Sequence, residues 1–274
     1  MRRAAIFLFL AGPLAAQQVA DTTFSPAIAA PIAAPGRGPK VLLDEAHFNF
    51  HTIAGRFGPF VKLLRRDGFV VEPLRTRFTG ESLAGARVLV IANALAELNQ
   101  GNWKLPTPSA FTGDEIVAVR DWVRTGGSLF LIADHMPFPG AAADLARAFG
   151  LYFINGFAGD STGGTGEMVF RSSDGSLKNH PILQGRNASE RVDSVRSFTG
   201  QAFWVTGSIS PILVLPAGTI VLLPVEAWQF SDQTQRIHAD GLLQGAAGTF
   251  GRGRIAAFGE AAMFSAQVAG PNRN

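Results

Sequence analysis

Short apolar runs alternate with amphipathic stretches along most of this chain. "KVLLDEA" predicts a buried strand ending near Asp44. In the following "HTIAGRFGPFVKLLRRDG", Ile53, Phe57, Phe60, Val61 and Leu64 recur at roughly helical spacing. Pro59 falls in or before the first turn of that helix and Gly68 supplies its stop. "FVVEPL" and "GARVLVIANAL" predict two more strands, the second closed by Asn93. "FTGDEIVAVRDWVRTGG" is the clearest helix in the chain. Thr112 and Glu115 have capping-box spacing, Ile116, Val119 and Val123 share a face, and Gly126-Gly127 ends it. "SLFLIAD" then predicts a strand ending at Asp134, and "AAADLARAFG" a helix.

Beyond that helix the rhythm weakens. "LYFINGF" and "TIVLLPVEAW" read as strands, with the Gly-rich "GFAGDSTGGTG" and a polar stretch between them. "GRIAAFGEAAMFSAQ" restores the order of strand, turn and short helix. Strands alternating with helices of this size predict an α/β domain with a mainly parallel sheet flanked by helices.

The same pattern sets the boundaries. Residues 1–16, "MRRAAIFLFLAGPLAA", have the basic start, apolar run and small residues of a signal peptide. Residues 17–39 are rich in Ala and Pro without a period and predict a flexible leader. One domain is expected over 40–268, followed by a short tail, 269–274. No later run reaches the roughly 18 apolar residues of a spanning helix, so the mature chain is expected to be extracytoplasmic, periplasmic or secreted, without a membrane span. The net charge of +3 includes Arg2 and Arg3, and there is no basic stripe, so nucleic acid is not an expected partner. The chain has no cysteine, which excludes a thiol nucleophile.

Ligands of open parallel sheets bind beyond the carboxyl ends of the strands. That rule gathers Asp44, Glu45 and His47, then Asn93, then Asp134 and His135, and finally Glu260 onto one rim. Asp134 or Glu260 is the expected general base, His135 a proton donor or metal ligand, and Asp44 the group that orients a histidine. Acids at strand ends also cap the helices that follow them, and the sequence leaves both roles open. The letters D-E-A-H at 44–47 do not mark a nucleotide-driven helicase, because the chain has no Gly-Lys pair with which to build a phosphate loop. His47, His51 and His135 are candidate ligands of a divalent metal, although "HFNFH" lacks the glutamate of an H-E-x-x-H helix. Ser161, in "GDSTGG", resembles the nucleophile block of GDSL-type esterases, with Asp44 and His47 at their D-x-x-H spacing but in inverted chain order. Glu45, Asn93, Asp160, Ser161 and His180, the last in "NHPIL", are candidates for binding substrate. Trp204, Trp228 and the many Phe residues read as core, although an aromatic near the rim could stack on a sugar or another ring ligand.

The succession "KVLLDEAHFN", "RVLVIANAL", "DEIVAVRDWVRTGGSLFLIADH", "NHPIL" and "GRGRIAAFGEAAMFSAQ" resembles exported proteins of the class I glutamine amidotransferase-like superfamily. It is similar in style to DUF4350 domains and more distantly to the ThuA-like and GldG-like groups. The resemblance covers residues 40 to 268 and implies a flavodoxin-like three-layer sandwich. Amidotransferases of this class place a cysteine after the strand that corresponds to "SLFLIA". Asp134-His135 stand there instead, which excludes that route to glutamine hydrolysis, and His135 matches a feature of the ThuA-like group. The functions that follow are a hydrolase, metal-dependent or not, acting at the rim; a non-catalytic module for a sugar, peptide or cell-envelope component; or a serine esterase using Ser161.

Overall fold

The computed structural model describes residues 21, 23–25, 27–160 and 166–267. The expected signal peptide, Ser161 and the 269–274 tail lie outside the described residues. The first half follows the alternation: β1 (Lys40–Asp44), α1 (Gly58–Arg66), β2 (Val70–Leu74), β3 (Val88–Ala92), α2 (Gly113–Arg124), β4 (Ser128–Ile132) and α3 (Phe138–Arg147). The second half is mostly strand: β5 (Leu151–Phe153), β6 (Phe157–Asp160), β7 (Glu167–Arg171), the single turn α4 (Pro181–Gln184), β8 (Ser194–Phe198), β9 (Phe203–Val205), β10 (Ile209–Val214), β11 (Thr219–Leu223), β12 (Gln235–His238), β13 (Leu243–Phe250) and β14 (Gly253–Phe258).

The main sheet has nine strands in the order β2-β1-β3-β4-β14-β13-β9-β5, with β10 also paired to β13. From β2 to β14 every pairing is parallel, which is the strand order of a flavodoxin-like doubly wound sheet. From β14 onward every pairing is antiparallel. The α/β class and the flavodoxin-like half therefore match the sequence reading, and the expectation of a mainly parallel sheet is corrected to a mixed one. The reason lies in β13, "LQGAAGTF", whose small residues show no apolar period. Gly245 lies against Leu213 and the Phe258 ring, so a side chain there would displace its neighbours.

Alternation along the strands builds two faces. Val41, Leu43, Val90 and Ile132 pack with Val61 of α1 on one face. Leu42, Leu89, Ile91, Leu129 and Leu131 pack with Val119 and Val123 of α2 and Leu145 of α3 on the other. A third cluster, with Phe170, Leu177, Leu213 and Val221, fills the antiparallel half beside Phe258. The described part of the Ala/Pro-rich leader lies against α1: Ile32 N–H donates to the Asp67 carboxylate (2.9 Å), and Gly38 N–H to the Gly68 carbonyl (2.8 Å). Gly68 takes φ of +100° beneath Ala33, where a Cβ would collide with the Ala33 carbonyl.

Candidate functional site

The carboxyl ends of β1, β3, β4 and β14 deliver two separate groups of polar side chains. In the first, β1 ends in the fully buried Asp44. Its carboxylate accepts from Ala46 N–H (3.1 Å) and Asn49 Nδ2 (2.9 Å), and lies 2.9 and 3.0 Å from His47 Nδ1. The other ring nitrogen of His47, Nε2, is 2.9 Å from Glu115 Oε1. Glu115 also closes the capping box with Thr112 and accepts the Phe78 N–H (3.1 Å). The His47 ring packs between Phe78 and Phe111, with centroids 4.6 and 4.8 Å away. Burial works against charge on this ring, but the bonds and charges of Asp44 and then Glu115 outweigh it and raise its pKa above the ordinary 6.5. Burial likewise raises Glu115, yet the Thr112 N–H and the His47 ring prevail and hold it below 4.5. The three side chains form an ionic latch from the end of β1 to the start of α2.

Both nitrogens of His47 are thus engaged by carboxylates, and it offers no lone pair to a metal. Among the described residues no three His, Cys, Asp or Glu side chains are grouped so as to hold a metal ion. The expected set of His47, His51 and His135 is not assembled: His47 belongs to the latch, the other two to a second group.

That second group centres on His135. Its Nδ1 lies 2.7 Å from the Met136 carbonyl, which places a ring hydrogen on Nδ1. The ring stacks on Phe157 (4.5 Å, 13°) and meets Trp228 edge-on (4.7 Å), with Phe138 and Trp103 at 5.8 and 5.9 Å. Trp228 and Phe230 complete this wall and are 41% and 38% exposed. Trp228 has φ of +67° and the exposed Phe48 has φ of +47°, a region that bulky residues occupy at a cost and chiefly at sites of function. Phe50 joins the wall through Trp103 and Phe138, and carries Arg56 over its face at 4.6 Å. His51 lies beside Phe50 and stacks on Phe57 (4.5 Å). It is 2% exposed, and its Nδ1 is buried without a hydrogen-bond partner among the described residues. Burial, then the charges of Arg56 and His135, push its pKa down to about 3, so the ring is neutral.

Asp134 and Glu260 come side by side because β4 and β14 are parallel neighbours, with Ile132 opposite Phe258. Asp134 accepts the N–H of His135 (2.8 Å), and its own N–H donates to Asn93 Oδ1 (2.9 Å). Glu260, fully buried, accepts the N–H groups of Ala262 (2.5 Å) and Met263 (3.0 Å). Burial raises the pKa of both acids, and the Asp134 charge lifts Glu260 well above 4.5. Although Asp134 keeps some exposed surface, its carboxyl lies deep enough for desolvation to dominate. A web beneath fixes both strand ends: Gln201 Nε2 donates to the Ala133 carbonyl (3.1 Å), Gln244 Nε2 to the Thr199 carbonyl (2.7 Å), and Gly259 N–H to the Gln244 carbonyl (2.8 Å).

The remaining candidates separate. Asn93 sits on the rim with φ of +51°, and its carbonyl accepts the Phe50 N–H (2.9 Å). Glu45 is a structural tie, accepting from Ile53 N–H (2.9 Å) and from Arg75 (3.0 Å). Asp160 ends β6 and is exposed, three residues beyond the Phe157 ring that supports His135. His180 caps α4 in the antiparallel half, where its Nδ1 accepts the Ile182 N–H (3.2 Å). Trp204 stacks on Tyr152 at the β5–β9 edge, away from the wall. Two open cavities are lined by neither His51 nor His135. One, of about 300 Å³, is lined by Leu177, Lys178 and Arg191; the other, of about 600 Å³, lies between residues 27–30, α1 and Arg186. The capping-box spacing marked Glu115, but nothing in the sequence marked its second role as the partner of His47. The wall of Trp103, Phe138, Phe157 and Trp228 comes from four distant segments and carries no local signal.

No family model matches the chain, and no curated protein matches it by sequence. Similar solved structures include the N-terminal domain of mmIFT52, with a TM-score of 0.58 at 15% identity over 82% of this chain and 87% of that one. They also include a ThuA-like protein from Bacteroides uniformis ATCC 8492, with a TM-score of 0.49 at 14% identity over 84% and 85%. A third is the cytoplasmic protein STM1381 from Salmonella typhimurium LT2, at 0.47 and 13% over 81% and 88%. The likeness to the mmIFT52 domain shows a shared fold and says nothing of activity.

Proposed function

We propose that this chain is an extracytoplasmic, DUF4350-like member of the amidotransferase-like fold that binds a small ligand at the carboxyl rim of its sheet without transforming it. The observation that carries this reading is His135, held by the Met136 carbonyl at Nδ1 and enclosed by Phe157, Trp103 and the exposed Trp228. An apolar wall with a few fixed polar groups is what a binding site for a sugar, a peptide or an envelope fragment needs. The test is a thermal-shift screen of the purified chain against sugars, short peptides and envelope fragments, repeated with Trp228→Ala. A ligand that raises the melting midpoint of the wild type and not of the variant supports the reading; a screen without any such ligand refutes it.

A hydrolase is the second reading, favoured by the adjacent Asp134 and Glu260, of which Glu260 keeps its proton well above the usual carboxyl range. Against it, both acids already accept backbone N–H groups as turn caps, and Glu260 is fully buried. Turnover of chromogenic glycosides or esters that disappears in Asp134→Asn would put this reading first.

A further inference from the structure

The two open cavities differ in what lines them. The charged groups of the larger one satisfy one another: Arg186 lies 3.2 Å from Asp67 and 2.6 Å from Glu190. The smaller, of about 300 Å³, is built from Ser172 and segments 177–179, 183–184 and 191–193. Backbone bonds tie these together: Leu177 N–H donates to the Arg171 carbonyl (3.0 Å), Ser172 N–H to Asp193 (3.1 Å), and Val192 N–H to Leu183 of α4 (2.8 Å). The apolar lining is Leu177 and Leu183, 2% and 8% exposed, with Val192.

The polar lining has more donors than partners. Lys178 is exposed and makes no ion pair among the described residues. Arg191 meets Asp193 through Nε (2.9 Å), which leaves its two terminal nitrogens as donors. Both side chains of that pair are more than half exposed, so it is weak and exchanges readily. Asn179 and Gln184 bond to each other (2.7 Å), and whichever way the two amides are turned, one NH2 and one carbonyl remain. Two cations thus stand against one carboxylate, above a floor of leucine.

We propose that this cavity binds a small monocarboxylate, with a short apolar stem on Leu177, Leu183 and Val192 and its carboxylate held by Lys178 and Arg191. The single excess positive charge matches one negative charge, and the Asp193 carboxylate disfavours a phosphate dianion. A guanidinium fork suits a carboxylate, and an ammonium supplies the second charge-assisted bond. A volume of about 300 Å³ is at the lower end for small-molecule sites, which keeps the stem short. The site is separate from the rim, since none of these residues belongs to the wall around His135.

The test is a set of ligand-observed NMR titrations of the purified chain with hexanoate, N-acetylleucine, acetate, hexanol and hexyl phosphate. Hexanoate stands for a free acid and N-acetylleucine for a peptide end, and the tighter of the two identifies the source. The expected result is saturable binding of one or both at millimolar concentration, weakened at least about tenfold in each of Lys178→Gln and Arg191→Gln. Acetate, which lacks four methylenes of hexanoate, should bind at least about tenfold more weakly. Hexanol binding as tightly as hexanoate overturns the role of the cations, and tighter binding of hexyl phosphate overturns the charge match. Carboxylate binding that both glutamine variants retain overturns the site, and if Trp228→Ala abolishes it the anion belongs at the rim. No binding of either carboxylate overturns the proposal. A melting curve confirms that each variant is folded; if one is not, Lys178→Met and Arg191→Met replace the glutamines under the same criteria.

Discussion

Replacing His47 with alanine tests the latch and has a magnitude that the structure sets. The substitution leaves Asp44 and Glu115, 0% and 3% exposed, without the ring that links them. Removing one partner of a buried ion pair costs roughly 3–5 kcal/mol, because a charge is left uncompensated. Here each acid keeps other donors: Asp44 those of Ala46 and Asn49, Glu115 those of Phe78 and Thr112. The loss is therefore expected at the lower end, about 3 kcal/mol. In a domain of this size that lowers the melting midpoint by roughly 6–12 °C. The pH dependence supplies the second signature. The folded pKa of His47 lies above 6.5, so its contribution is full below pH 6.5 and fades as pH rises through the folded value. That of Glu115 lies below 4.5, so its contribution is full above pH 4.5 and fades as pH falls through the folded value. The gap between wild type and variant should be widest between these limits and should shrink on the alkaline side. Urea titrations followed by tryptophan fluorescence at pH 5.5, 7 and 9 measure it. A gap below about 1 kcal/mol, or one that does not change with pH, would refute the charged latch.

Other substitutions separate the remaining roles. His51→Phe removes a buried nitrogen that has no partner and keeps the stack on Phe57, so urea unfolding should find the variant as stable as wild type or about 1 kcal/mol more stable. Glu260 has a folded pKa well above the ordinary 4.5, so wild-type stability should fall as pH rises from there through the folded value; Glu260→Gln should flatten that slope in denaturant titrations from pH 5 to 8. Gly68→Ala combines a positive φ with a collision against the Ala33 carbonyl, and should cost more than about 1 kcal/mol by thermal melting. Trp228→Ala removes a half-exposed ring, and should leave the midpoint within a few degrees of wild type while abolishing ligand-induced shifts.

The parallel half was legible because each strand and helix there carries its own period. Thr112 and Glu115 announced α2, and the runs ending at Asp44, Asn93 and Asp134 announced three strand ends that do converge. The antiparallel half was not. β13 is Ala- and Gly-rich, β10 contains Pro211, and β9 has three residues, so packing between strands, rather than a local period, decides them. The rim was legible as a list of acids and histidines, but not as a division. His47 and His51 are four residues apart in sequence and serve different groups, because the loop between them turns through Phe48 at positive φ. Which carboxylate would claim His47 depended on Glu115, delivered by a helix that starts far along the chain.

β14 occupies the middle of the main sheet, between β4 and β13, although almost the whole described chain precedes it. Its pairing joins Ser128 to Arg254, one of the longer loops this fold has to close. Until Gly253–Phe258 arrives, β4 presents an open apolar edge and β13 lacks its parallel-side neighbour, and such edges invite pairing between molecules. Assembly of the two halves therefore waits on a late-made segment, and a chain interrupted before Phe258 is a template for aggregation rather than a smaller working domain.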